Sequence, residues 1–424
     1  MTPSLPSPHS STPSGPKFRV VGSCAPARMA ARLLQMAHPT RTPFQRRLPR
    51  TGALAAALLL CSIPVAAQGQ LDQVSYRDSN GRARTWHGTV TENSLERTVI
   101  EARGRTRNVE SERVDLVYFG DVPESYREAR SYLDRGDFEN AAARFQVAAG
   151  ESEARDVVRA SARFLAGKTQ MRAGANDPSA FQKAIAQFDT FLTDFPNDRE
   201  VPEARSLRAR AMRLTGDPAG AAQAYRELYQ EGVSDSPTKG YPLLLCAKAG
   251  IAAAECLIEA GDPSGASALY NEISAALTSH LAGLDDNAPS RFALGEVLAE
   301  ARLGEGFSLL AQGSDSQART FFQGQLSSAP KAGAQRYGAR LGLAEALLAA
   351  GSVRDAEIEF AQVSALEPAN RDRIARALLG LASCAEKLSD TKAPAQRKLW
   401  LETLTNRYGD TPSALRAQEL LKSL

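Results

Sequence analysis

Five times beyond residue 120, a glycine is followed five residues later by an alanine and nine residues later by an aromatic side chain. The sets are Gly136, Ala141 and Phe145; Gly216, Ala221 and Tyr225; Gly261, Ala266 and Tyr270; Gly313, Ala318 and Phe322; Gly351, Ala356 and Phe360. With Gly, Ala and Phe plus Tyr at roughly 7, 17 and 6% of the chain, chance arrangement produces about 0.3 such matches, so the spacing is an internal repeat. Seven residues before each glycine stands a small residue: Ala129, Ala209, Ala254, Gly306 and Ala344. Pro330 and Pro368 follow two of the alanines by twelve residues. A sixth copy, with an insertion in its turn, keeps Gly167, Ala184, Phe188 and Pro196.

The spacing has a physical reading as a helix, a tight turn and an antiparallel helix. The small residue lets the two helices touch. The glycine ends the first helix, where a left-handed backbone is needed. The alanine keeps the second helix close, and the aromatic four residues on lies on the same face and fills the space between helices. Proline starts the next unit, where its missing N–H is harmless. An alanine-rich chain with only 6% aromatics suits close-packed helices better than a sheet core.

This pattern resembles the tetratricopeptide repeat and covers about residues 121–424. Six repeats are recognisable. A degenerate seventh runs from about Asp372, with Ala382, an irregular turn through "LSDTKAPAQ" and Trp400. The C-terminal "RYGDTPSALRAQELLKSL" and the segment "DFPNDREVPEARSLRARAM" resemble repeats of envelope proteins of the Tol-Pal coordination and outer-membrane assembly lipoprotein type. The resemblance implies an α-solenoid whose first helices line a concave groove that binds peptides or helices of partner proteins. It places groove positions at Phe164, Lys168 and Met171, then Arg210 and Arg213. Later repeats contribute Ile251, Glu255 and Ile258; Leu303, Phe307 and Leu310; and Leu341, Glu345 and Leu348. Basic early repeats and apolar later ones imply a partner segment with an acidic part and a greasy part. The bland alternative is that these apolar residues only touch neighbouring helices. Stretched linkers at 231–242 and 279–292 suggest a bend or break in the superhelix.

Residues 68–120 read differently. Runs rich in Val, Thr, Tyr and Trp, with Asn80-Gly81 and Gly104 as turn signals, predict about five short strands in a small SH3-like or Sm-like barrel. Both residues of the Asn-Gly pair tolerate positive φ. Arg97, Arg103, Arg105, Arg107 and Arg113 crowd this module. They suit an anionic surface or nucleic acid, or the solvated face of a sheet, since Val99, Glu101, Val109 and Glu110 alternate with them.

Residues 1–67 read as a leader. A Pro/Ser-rich start is followed by Arg46, Arg47 and Arg50, then the apolar "TGALAAALLLCSIPV", then "VAAQ". That order is a secretory signal with cleavage near Ala67, and its apolar run is short for a membrane span. Met1, Met29 and Met36 all suit the start of translation. Cys61 follows "LLL", but Leu60 is large for a lipoprotein box, and Arg46-Arg47 fits a charged n-region as well as a twin-arginine signal.

Three cysteines follow: Cys246, Cys256 and Cys384. The first two lie ten residues apart on one predicted helix, about 15 Å, too far for a disulfide, and buried small apolar roles are expected. No phosphate-cradling loop, HExxH, paired-Cys motif or nucleophile elbow is present in the sequence. His87 in the β module and His280 in a linker lack ligand-spaced partners, so no cofactor and no metal are expected. Three functions compete: an exported, non-enzymatic adaptor; an oligomeric structural component of the envelope; and an intracellular nucleic-acid-associated scaffold. No nucleic acid is expected as partner under the first two, and membrane contact only through an uncleaved signal.

Overall fold

A computed structural model describes residues 71–424 apart from 235, 389 and 390; the leader expected at 1–67 lies outside the described residues. Among the described residues, fifteen helices follow five strands. The helices form seven antiparallel pairs: α1 (Glu124–Asp134) with α2 (Phe138–Gly150), α3 (Asp156–Ala173) with α4 (Ser179–Asp194), α5 (Val201–Leu214) with α6 (Pro218–Val233), α7 (Leu243–Glu259) with α8 (Pro263–Ala282), α9 (Arg291–Ala311) with α10 (Asp315–Ser328), α11 (Ala334–Ala349) with α12 (Val353–Leu366), and α13 (Arg371–Lys387) with α14 (Ala393–Arg407). A last helix, α15 (Pro412–Lys422), caps the stack.

The five repeat glycines all have positive φ, from 74° to 88°. Each closes its helix by a double hydrogen bond. Gly136 N donates to Leu133 O and Asp137 N to Tyr132 O, and the pairing recurs at Gly216, Gly261, Gly313 and Gly351. This is the Schellman arrangement, and only glycine adopts its left-handed position freely. The aspartate after the glycine then serves the next helix. Asp137, Asp217 and Asp262 each accept the backbone N–H three residues on, and Pro218 and Pro263 follow at the first helical position. One Gly-Asp dipeptide therefore ends one helix and starts its partner.

The predicted interior is buried. Ala141, Ala221, Ala266, Ala318 and Ala356 are sealed from solvent, and Phe145, Tyr225, Tyr270, Phe322 and Phe360 are buried with them. The aromatics also pack across repeats onto glycines the spacing had not singled out. A Cβ on Gly250 would lie 2.7 Å from the Tyr229 ring, one on Gly304 2.1 Å from Tyr270, one on Gly342 2.2 Å from Phe322, and one on Gly380 2.4 Å from Phe360. In the second repeat Gly167 is the small residue against Phe188, and its turn is the longer stretch from Gly174 to Pro178. Of the bend or break expected at 231–242 and 279–292, no break is found among the described residues. Helices α6 and α8 run on into those segments, taking His280 into α8, and α6 packs on α7 and α8 on α9. Gly232 lies so close to the Cys246 side chain that a Cβ would meet its sulfur at 2.4 Å. Cys246, Cys256 and Cys384 are buried and free, and burial raises each thiol above its ordinary range.

The strands are β1 (Asp72–Arg77), β2 (Ala83–Asn93), β3 (Arg97–Ala102), β4 (Arg105–Glu110) and β5 (Val114–Tyr118), antiparallel in the order β4-β3-β2-β1-β5. A 3-10 turn at Ser111–Arg113 leads into β5. The long β2 pairs with β1 up to Gly88 and with β3 from Thr89. Gly88 is the point of exchange, since a Cβ there would lie 2.2 Å from the Glu101 carbonyl oxygen. Val74, Val90, Ile100 and Val109 form the buried face of this small antiparallel sheet, and among the described residues no ladder joins β4 to β5, so the expected barrel is not closed. In the first hairpin only Gly81 takes positive φ. The turn with two such residues is Arg103-Gly104, at 51° and 72°.

Sheet and helices share one compact unit. Asp72, 1% exposed, accepts from Val90 N and Gly120 N at 2.8 Å each and forms a two-pronged pair with Arg155, the residue that precedes α3, at 2.6 and 2.9 Å. The β2–β3 loop docks on the third repeat through Leu95 N to Asn197 O at 2.8 Å. Beside it lies Asp198, whose carboxylate accepts Glu200 N at 2.9 Å and hydrogen-bonds Asn93. Burial pushes the Asp198 carboxyl up to about 7, opposed by these hydrogen bonds and Arg199 and reinforced by Glu200. A carboxyl raised on folding stabilises most below its unfolded value of about 3.9, and that stability is lost as pH climbs through the folded value. The melting advantage of the native chain over Asp198→Asn should therefore shrink between pH 4 and 7, at up to about 1.4 kcal/mol per pH unit. Equal differences at pH 5 and pH 8 would show that Asp198 does not titrate there.

Candidate functional site

The first helices of successive repeats also touch one another: α5 meets α7, α7 meets α9, α9 meets α11 and α11 meets α13. This inner row lines a cavity of about 470 Å³. Arg213 comes from α5; Ile251, Glu255 and Ile258 from α7; Leu303, Phe307 and Leu310 from α9; Leu341 and Glu345 from α11. A larger neighbouring space, about 890 Å³, shares several of these residues and adds Arg210 and Tyr225.

The remaining groove positions lie elsewhere. Phe164 is buried between Phe188 and Phe191, with ring centroids 6.3 and 5.7 Å away, so it is an interior side chain of α3 and not groove surface. Met171 is buried in the same cluster. Lys168 reaches across to Glu203 of α5 at 2.8 Å. Leu348 packs into the cluster around Leu347 and Phe360. Within the cavity, Leu303 is only 1% exposed because it fills the notch left by Gly338, where a Cβ would lie 2.6 Å from its methyl. Leu341 is equally buried. The half-buried apolar surface is supplied by Ile258, Phe307 and Leu310, with the Phe307 ring tilted against Phe322 at a centroid distance of 5.0 Å.

The chain closes on itself across this face. Arg210 donates to the Asp410 carbonyl at 2.9 Å and faces Asp372 at 3.7 Å, although 200 residues separate it from Asp410. A Cβ on Gly409 would meet the Ala175 carbonyl at 2.3 Å, so only glycine permits that approach. Pro412 and Ser413 of α15 consequently form part of the cavity wall.

Its charges are mostly paired. Arg213 bridges Glu255 at 3.0 Å and Glu259 at 2.6 Å. Arg373 holds Glu300 at 2.7 Å and also Glu367. Arg376 grips both Glu345 oxygens, at 2.8 and 2.9 Å, and lies 4.8 Å from the Phe307 ring centre. The expected basic early groove is thus neutralised: Arg210 and Arg213 are satisfied by acids of this chain. Three guanidinium groups face five carboxylates (Glu255, Glu259, Glu300, Glu345 and Asp372) around the cavity. Burial raises the carboxyls of Glu300 and Asp372, opposed mainly by Arg373 and Arg210 respectively. Asp372 Oδ1 is sealed from solvent and accepts no hydrogen bond.

The spacing missed Glu300, Asp372, Arg373 and Arg376. The register used for the groove points to the last turns of each first helix. These four lie nearer the start of α9 and α13, where the curved inner row converges. The signal was the pair Arg373 and Arg376, one helical turn apart in a repeat that seemed degenerate.

The arginines of the β module are similarly balanced. Residues 71–120 hold eight arginines and eight carboxylates. Arg77, Arg84, Arg97 and Arg113 pair with Asp115, Asp78, Glu92 and Glu110, and Arg107 lies over Tyr76 and Trp86.

Helix pairs closed by a left-handed glycine, with first helices lining a concave cavity, define an α-solenoid of the tetratricopeptide kind. Among solved structures, the chain is similar to a tetratricopeptide repeat protein from Parabacteroides merdae, at 16% identity over 71% of this chain and 98% of that one, with a TM-score of 0.45. It is similar too to PilW, a widely conserved type IV pilus biogenesis factor, at 18% identity over 62% and 100% of the two chains, TM-score 0.34. The tetratricopeptide domain of P58(IPK) matches at 16% over 70% and 79%, TM-score 0.23. The sequence matches no protein-family model and no curated protein. The fold class rests on the chain's own repeat geometry.

Proposed function

We propose that the chain is a non-enzymatic adaptor of the cell envelope that holds a segment of a partner protein in the concave cavity. The observation that carries this reading is the cavity itself, where half-buried Ile258, Phe307 and Leu310 from two helices converge beside fixed charges. Convergent apolar side chains in a concavity are the usual anchors of an interface. The envelope location rests on the order of basic, apolar and small residues ending at Ala67. An oligomeric structural role is the second reading, and concentration-dependent mass separates it from the first.

A photo-crosslinking side chain placed at Phe307 in the native cell should trap one discrete partner, and the same group at Val147, exposed on α2, should not. Sequencing the crosslinked protein should give Gln68 or a close neighbour as its first residue. Trapping that is equal at both sites would remove the groove reading, and an intact leader would remove the envelope reading.

A further inference from the structure

The chemistry of the partner segment follows from the cavity, if the adaptor reading holds. We propose that the cavity receives about one turn of a partner polypeptide that presents an apolar side chain next to an arginine or lysine. Size sets the first part. One turn of helix, roughly 10 Å across and 5.4 Å high, occupies roughly 420 Å³, which the 470 Å³ cavity can hold, and flanking residues can extend into the adjoining space of about 890 Å³. The contact of Arg210 with Asp410 walls one side, so a long helix lying along the whole groove would meet α15.

Charge sets the second part. Three arginines facing five carboxylates leave an excess of two negative charges around a partly desolvated space. Such a space disfavours an acidic segment and favours a cation, because Coulomb interactions strengthen where water is excluded. Asp372 is the focus: its nearest cation, Arg210, stands at 3.7 Å and is already committed to the Asp410 carbonyl. Glu255 shares Arg213 with Glu259, so it too can turn toward an incoming cation. The apolar floor of Ile258, Phe307 and Leu310 lies in the same cavity and suits the neighbouring side chain. This reverses the acidic partner implied by the sequence, where Arg210 and Arg213 looked free.

The test uses the full chain and three capped, dye-labelled ten-residue peptides of one length. One carries Leu-Phe flanked by two arginines. Its twin carries glutamates in place of the arginines. The third keeps the arginines and replaces Leu-Phe by Ser-Ser. Anisotropy at near-physiological salt should show the Arg/Leu-Phe peptide binding at least tenfold tighter than either twin. Asp372→Asn, which leaves Arg210 paired with Asp410, should reduce that preference several-fold with an unchanged melting temperature, as should Glu255→Gln. Equal or tighter binding of the glutamate twin overturns the cation assignment and leaves the adaptor reading standing. Equal binding of the Ser-Ser peptide overturns the apolar part. If no peptide binds and the mass rises with concentration, a second copy fills the cavity and both readings fall.

Discussion

Replacing Phe360 by alanine should destabilise the last three repeats by about 3–5 kcal/mol. Phe360 is 1% exposed and sits between its own repeat and Gly380 of the next. Removing the ring leaves a cavity that two rigid helices cannot close. The converse change sharpens the test. Gly380→Ala puts a methyl 2.4 Å from a Phe360 ring carbon that has nowhere to go, so it should destabilise the native chain despite alanine's helix preference of about 1 kcal/mol. In the Phe360→Ala background the same methyl enters vacated space, and Gly380→Ala should become stabilising. Chemical denaturation of the four proteins reads the cycle. Additive effects would show that the ring and the glycine do not meet.

How much of this was legible in the sequence depends on how far apart the interacting residues lie. The turn of each repeat is local. Gly136 and Asp137, whose hydrogen-bond partners all lie within five residues, carry the whole geometry of helix end and helix start, and their spacing exposed five turns. The aromatics were legible for the same reason, but the glycines opposite them were not. Gly342 and Gly380 lie about twenty residues from Phe322 and Phe360, in the next repeat, and helix interiors with glycine read as weak helices until the close contact is seen. The groove was legible only in part. The positions on α7 and α9 follow the repeat and do meet in one cavity. Those on α3 follow the same register, yet Phe164 turns inward because Phe188 and Phe191 supply a phenylalanine-rich pocket there. Arg210 and Arg213 read as basic groove positions open to an acidic partner. Their partners lie far along the chain: Asp410 for Arg210, and Glu255 and Glu259 of the next repeat for Arg213. Loss of either arginine leaves half-buried carboxylates unpaired, so a stability cost is expected at both.

The second large effect concerns the joint between sheet and solenoid. Asp72 stands at the first residue of β1, and its carboxylate ties together β2, the segment that leads into α1 and the residue that caps α3, through Val90 N, Gly120 N and Arg155. Arg155 in turn donates to the carbonyls of Val90 and Asp121, each at 3.0 Å. A buried pair held by so many bonds contributes little net stability against a well-packed apolar substitute, but breaking one side of it is costly. Asp72→Ala strands two buried N–H groups and a guanidinium, and should cost about 3–5 kcal/mol. Arg155→Met should cost a similar amount by leaving the buried carboxylate with its two N–H donors but no counter-ion. Changing both, as Asp72→Asn with Arg155→Met, removes both charges together and should cost clearly less than the sum of the Asp72→Asn and Arg155→Met losses measured singly. Hydrogen exchange distinguishes the joint from a general weakening. In Asp72→Ala the amides of β1 and β2 should lose protection first, with those of α11 to α14 unchanged. Uniform loss along the chain, or a cost under about 1 kcal/mol for Asp72→Ala, would mean that the sheet is held to the helices by the Leu95 and Asn197 contact and the packing around Phe119 instead.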